Sequence, residues 1–167
     1  MLPNLVVATC WGIPMITTST ETNSSCADRT FWVRSMEDRC SVFTHRTTDI
    51  DHQAASLTGW EQVYDQLSPG KYEGCLTEYC IDDLQLVREQ ANQSMHQMGN
   101  AWKGSRTFII PMQQKGTARF GTQIIDAACP VTLAPERELD FRTPTNMDVM
   151  AVVVCSETIS NYSKLTE

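Results

Sequence analysis

Short runs of alternating apolar and polar residues follow one another along this chain at intervals of roughly 8 to 15 residues, with Gly, Pro or paired acids between them. An alternation of period two is the pattern of a strand with one covered face. The pattern therefore favours an all-β sandwich or barrel over a βαβ fold. Trp60, Gln62, Tyr64 and Gln66 fall on one strand face, and Val63, Asp65 and Leu67 on the other. Tyr72, Gly74, Leu76 and Glu78 share a face, as do Leu84, Leu86, Arg88 and Gln90. Ser68-Pro69-Gly70 has turn chemistry, because Pro presets φ and Gly tolerates positive φ. Ile81-Asp82-Asp83-Leu84 marks a second turn. Further strands are expected at Cys40–Arg46, Thr107–Met112, Ala118–Thr122, Gln123–Asp126, Val131–Leu133, Glu138–Arg142 and Met147–Val154, with another at Thr30–Arg34.

Two helices interrupt this pattern. Thr48–Leu57 has Asp49 placed to cap it and Asp51 near the positive end of the helix dipole, with Ile50, Ala54 and Leu57 on one face. Ser156 opens a second helix, in which Ile159, Tyr162 and Leu165 form a narrow apolar stripe. That stripe fits either packing within the domain or half of a dimer seam. Leu2–Ile16 is apolar, but no Lys or Arg precedes it, and Pro3, Gly12 and Pro14 break it. It is too short to span a bilayer and reads as an extended segment or strand packed on the domain. The Thr/Ser/Asn-rich residues 17–29 read as a loop.

The net charge of −7, from 13 basic and 20 acidic residues, argues against a nucleic-acid-binding surface in this segment. The seven cysteines are odd in number and include no C-x-x-C, so the expectation is thiols in a reducing cytoplasm. His45, His52 and His96 lie far apart with no H-x-H, and His96 is placed in a polar loop. That pattern supplies no metal-ligand spacing. Asp82 and Asp83 are adjacent on a turn and point apart, and neither Cys75 nor Cys155 has a neighbouring His to activate it. No phosphate-binding, dinucleotide or nucleophile-elbow motif occurs. No cofactor and no catalysis are expected.

Several of these pieces occur in an order with a precedent: the Asp49–Leu57 helix, then Trp60, Tyr64-Asp65-Gln66-Leu67, Ser68-Pro69-Gly70-Lys71-Tyr72-Glu73-Gly74 and Arg88-Glu89. Phe108-Ile109-Ile110-Pro111 and Phe141-Arg142-Thr143-Pro144 follow. Across residues 45–160 the run resembles the N-terminal effector-binding domain of AraC-type transcription regulators, nearest to those of amine, amino-acid or ethanolamine catabolism. The first 44 residues match nothing of that pattern. The resemblance implies a cupin-like, double-sheet β-barrel over residues 45–155, and residues 1–44, read from the sequence itself, are expected as an extension with the first strands packed on it. Residues 156–167 would begin a helical dimerisation segment. It further implies a small-molecule effector, a homodimer, and DNA contact only through a helix-turn-helix domain absent from this chain, with no membrane partner.

The residues proposed to bind the effector are Trp60, Tyr64, Gln66, Tyr72, Glu78, Arg88, Phe108 and Phe141. The aromatic residues fit a filled core as well as a cavity, since small barrels are packed with side chains. Arg88 with Glu78 or Glu89 reads first as a structural pair. An acid facing the cavity unpaired would instead favour an ammonium effector stacked on Trp60 or Tyr64. Two rival readings stay open. One is a metal-dependent cupin enzyme; the other is a dimerisation module with a filled barrel.

Overall fold

The turn residues set the architecture. In a computed structural model, which describes residues 40–113, 116–125 and 129–164, Ser68–Gly70 separates β2 (Glu61–Gln66) from β3 (Gly74–Ile81). Asp82, at a φ of 48°, makes the tight turn from β3 into β4 (Leu84–Ala91). A short Asx side chain tolerates that left-handed conformation better than a branched one. Before them lie β1 (Cys40–Thr47) and α1 (Ile50–Ala54). The Asp49 carboxylate caps α1 by accepting from the amides of Asp51 and His52 at 3.0 and 3.1 Å. After them come β5 (Met95–Asn100), β6 (Ser105–Gln113), β7 (Ala118–Phe120), β8 (Gln123–Ile125), β9 (Val131–Leu133), β10 (Leu139–Arg142), β11 (Met147–Cys155) and α2 (Ser156–Lys164).

The strands form two antiparallel sheets, ordered β1-β3-β4-β11-β6-β9 and β2-β5-β10-β7-β8. The chain is thus mainly β, as expected, and forms a two-sheet sandwich. Neither sheet closes on itself among the described residues. Tyr64, Tyr72, Met95, Ile109, Phe120, Phe141 and Val149 fill the space between the sheets, and Leu57, Leu76 and Val87 form a second cluster. The faces read from the alternation are the ones adopted. Tyr64 is buried while Val63 and Leu67 are exposed, and Leu76 and Glu78 point inward.

One strand was not expected. His96 lies in β5, not in a loop, and its ring bonds Asp140 at 2.7 Å. The sequence Met-His-Gln-Met-Gly-Asn has no β-branched residue, so propensity gives no signal there. Antiparallel pairing with β2 on one side and β10 on the other holds the strand instead, and Thr143 fixes its first residue. The Met95 amide donates to Thr143 Oγ1 at 3.1 Å, and the Thr143 amide donates back to the Met95 carbonyl at 2.9 Å. The expected strand Thr30–Arg34, most of the 1–44 extension, and Leu165 lie outside the described residues.

Candidate functional site

β4 carries the least ordinary side chain of the interior. Its alternation sends Gln85, Val87, Glu89 and Ala91 inward and Leu84, Leu86, Arg88 and Gln90 outward. A carboxylate, Glu89, therefore stands between the sheets, only 5 % exposed. Three elements converge on it. Gln53 of α1 donates from Nε2 to Oε1 at 2.8 Å, and Gln97 of β5, on the facing sheet, donates from Nε2 to Oε2 at 2.8 Å. The Tyr64 hydroxyl of β2 has one hydrogen and two acceptors in reach, Gln62 Oε1 at 2.7 Å and the Glu89 carboxylate. All of these partners are uncharged.

Burial pushes the Glu89 carboxyl above the usual glutamate range, and the bonds from Gln53, Gln97 and Tyr64 pull it partly back. Burial and the nearby acid likewise raise the Tyr64 and Tyr72 phenols, so both stay neutral hydrogen-bonding groups. Two polar atoms beside this network lack partners: Gln53 Oε1 and the Tyr72 hydroxyl. Buried polar atoms of this kind are normally satisfied by protein or water. Trp60, Leu57, Phe141, Ile109 and Val149 wall the adjoining cavity. Its volume is about 20 Å³, room for roughly one water molecule.

Gly74 makes the network possible. A Cβ there would fall 1.7 Å from Gln53 Oε1 and 2.6 Å from the Tyr72 hydroxyl. Gln53 is fully buried and has nowhere to retreat. Gly74→Ala is therefore expected to drive the Gln53 amide off Glu89 and to lower stability in urea by about 1–3 kcal/mol, the usual effect of overpacking. Unchanged stability would show that Gln53 has another place to go.

The residues expected at the site divide into groups. Trp60 and Phe141 line the cavity with Glu89, while Tyr64 and Tyr72 stand in its polar network. Glu78 is buried in a neighbouring node, where Thr58 Oγ1 donates to it at 2.9 Å and Gln85 Nε2 makes a very short contact. Gln85 also accepts from the Trp60 indole at 3.0 Å, linking the two nodes. Gln66 does not reach the interior site; its amide donates to the Ser68 and Gly70 carbonyls and fixes the turn.

Arg88 and Phe108 correct the expectation outright. Both lie on the outward face of their sheet, opposite Glu89 and Thr107. Arg88 pairs with neither Glu78 nor Glu89. It makes a two-pronged bond to Asp148 at 3.0 and 2.7 Å, which holds that carboxyl below its ordinary range. Ile159 and Tyr162 lie on α2, none of whose described residues is buried.

The missed residues are Glu89, Gln53 and Gln97. The alternation that put Arg88 with Leu84 and Leu86 already sent Glu89 the other way. The resemblance pointed to Arg88, while the alternation places its neighbour Glu89 on the inner face.

The three histidines do not gather at one point. The His45 and His52 rings meet edge to face at 5.1 Å, while His96 sits with Asp140 on the other sheet. Among the described residues, no three His, Cys, Asp or Glu side chains come together in an arrangement that could hold a metal ion. A larger cleft of about 350 Å³ opens on the surface beside Glu61, Lys103, Glu136 and Arg137, but these charges are mixed in sign and exposed. No helix among the described residues is long and apolar enough to cross a membrane. No family model and no solved structure matches the chain.

Proposed function

We propose that this chain is the effector-sensing domain of an AraC-type transcription regulator, with its two sheets arranged as a cupin-like barrel around an amine-binding site. The observation that carries the reading is Glu89, a buried carboxylate whose hydrogen-bond partners are all uncharged. A buried charge calls for a counter-charge. An ammonium group is about the size of the water that the cavity admits, and it would find Glu89 for charge and Trp60 for cation–π contact. The unpartnered Gln53 Oε1 and Tyr72 hydroxyl lie beside Gly74, outside the lining of that cavity. A body larger than the ammonium head enters by displacing Trp60, which is only half-buried and tied to Gln85.

Ligand binding then biases the domain's arrangement relative to a DNA-binding half outside this chain, to the extent that the ligand's affinity differs between the two arrangements. The regulator works in the cytoplasm, as a homodimer.

Calorimetry and thermal shift with small primary amines test this directly. The expected result is saturable stabilisation that is lost in Glu89→Gln and absent for the matching alcohols. If no amine, amino acid or small aromatic binds the folded protein, the sensor reading is wrong. The cavity of about 20 Å³ favours a second reading, a filled sandwich that serves only to pair two copies. It predicts self-association without ligand binding. A metal-dependent enzyme would instead show stoichiometric metal by elemental analysis of the purified protein.

A further inference from the structure

The six-stranded sheet carries apolar residues on both faces, with several polar ones among those on the inner face. In β4 the inward positions include Gln85 and Glu89, while Leu84 and Leu86 face outward. In β6 the inward Ser105 and Thr107 back onto the outward Phe108 and Ile110. In β3 the inward Glu78 adjoins the outward Tyr79. Register pairing aligns the outward residues into a continuous row across five strands: Val42, Tyr79, Leu86, Val152 and Phe108. Val42 is 59 % exposed, and Met112, further along β6, is 54 % exposed. Antiparallel sheets with one solvated face usually carry polar residues on it, and the largest contiguous apolar patch of a protein is often a functional surface.

We infer that this face pairs with the same face of a second copy of the chain. Size favours it. Five strands at about 4.8 Å spacing, carrying three outward rows about 7 Å apart, span roughly 500 Å² in projection. Side-chain relief raises that toward the about 800 Å² per partner of a standard interface. Shape favours it too, since a pleated face stacks on its own copy in the aligned packing of sandwiches, about a two-fold axis.

Charge permits it. The chain carries −7 overall, so two copies repel over most of their surfaces. On this face the charged residues are Arg46, Arg88 and Arg106 against Asp148 alone, and Asp148 is bonded to Arg88. It is a locally apolar and slightly basic surface on an acidic protein, where two copies approach with least repulsion.

Sedimentation velocity of the full chain across a micromolar concentration series tests the inference. The wild type is expected to form a dimer, and Val152→Lys, at the centre of the row, to weaken its Kd by about tenfold or more. Val152→Thr keeps the β-branched shape and guards against misfolding. It is expected to weaken the dimer by a smaller factor, with an unchanged circular dichroism spectrum. A wild type that stays monomeric throughout overturns the inference. A dimer that resists both Val152 variants but is lost in Tyr162→Lys places the seam on α2 and overturns it equally.

Discussion

Gly99→Ala is expected to lower the stability of this domain by about 2–6 kcal/mol, a large share of the 5–15 kcal/mol typical of a folded protein. Two costs combine. Gly99 has a φ of 139°, a region that side chains with a Cβ rarely adopt, and forcing one there costs about 1–3 kcal/mol. The added Cβ would also lie 2.0 Å from the Glu61 carbonyl oxygen and 2.8 Å from the Gln62 Cα. These are backbone atoms, so β2 and β5 must part to admit it, which costs about 1–3 kcal/mol more. The damage is directed at the site. β5 places Gln97 beside Tyr64 of β2 on one side and Phe141 of β10 on the other. Separating β2 from β5 pulls the Gln97 amide off Glu89. Urea unfolding followed by tryptophan fluorescence measures the loss. A variant as stable as the wild type would mean that the β2–β5 register is other than described.

Gly99 also marks where the sequence was silent. The hairpin from β3 to β4 and the α1 cap are written in local chemistry: two turn acids between alternating strands, and an Asp with open amides two and three residues on. Such features are legible because their energy is local. β5 is not legible, because its residues have little strand propensity and its partners β2 and β10, with Thr143 at its first residue, are remote in sequence. The candidate site divides the same way. Trp60, Tyr64 and Phe141 announce themselves as aromatic residues on inward faces. Gln53, Glu89 and Gln97 do not, since each is an ordinary polar residue until α1 and the two sheets bring them together.

The patterning of the six-stranded sheet connects the two halves of the problem. Assigning the leucines of β4 to the interior would bury Arg88 and expose Glu89. The structure does the reverse and bonds Arg88 to Asp148 at the surface. A strand with leucines outside and a glutamate inside is poorly explained by folding of one isolated copy. It is explained if the outer face is covered and the inner acid has work to do. The apolar exterior and the polar interior are thus a single feature of β4, seen from its two sides.

Glu89 itself yields the sharpest expectation. Glu89→Leu leaves the Gln53 and Gln97 amides, and one choice of the Tyr64 hydroxyl, without their acceptor. Each buried donor left unpaired costs about 1–3 kcal/mol, so a loss of roughly 3 kcal/mol or more is expected. Glu89→Gln keeps the shape and an acceptor oxygen, and its effect turns on pH. Burial raises the folded-state carboxyl above its ordinary value of 4.5, so the native protein holds this proton more tightly than the unfolded chain. The resulting stabilisation is complete below pH 4.5 and is lost as pH rises through the folded-state value, at up to about 1.4 kcal/mol per pH unit. Glu89→Gln has no such proton to lose. Its stability relative to the wild type is therefore expected to improve as pH rises from 4.5 through the raised folded-state value and to level off above it. An amine bound at the carboxylate reverses that trend in the wild type alone, because it favours the ionised acid. Unfolding of both proteins across pH, with and without a primary amine, separates the two roles. A pH-independent difference between them would mean that Glu89 is not the buried titrating group described here. A difference that varies with pH but ignores the amine would leave Glu89 a purely structural acid.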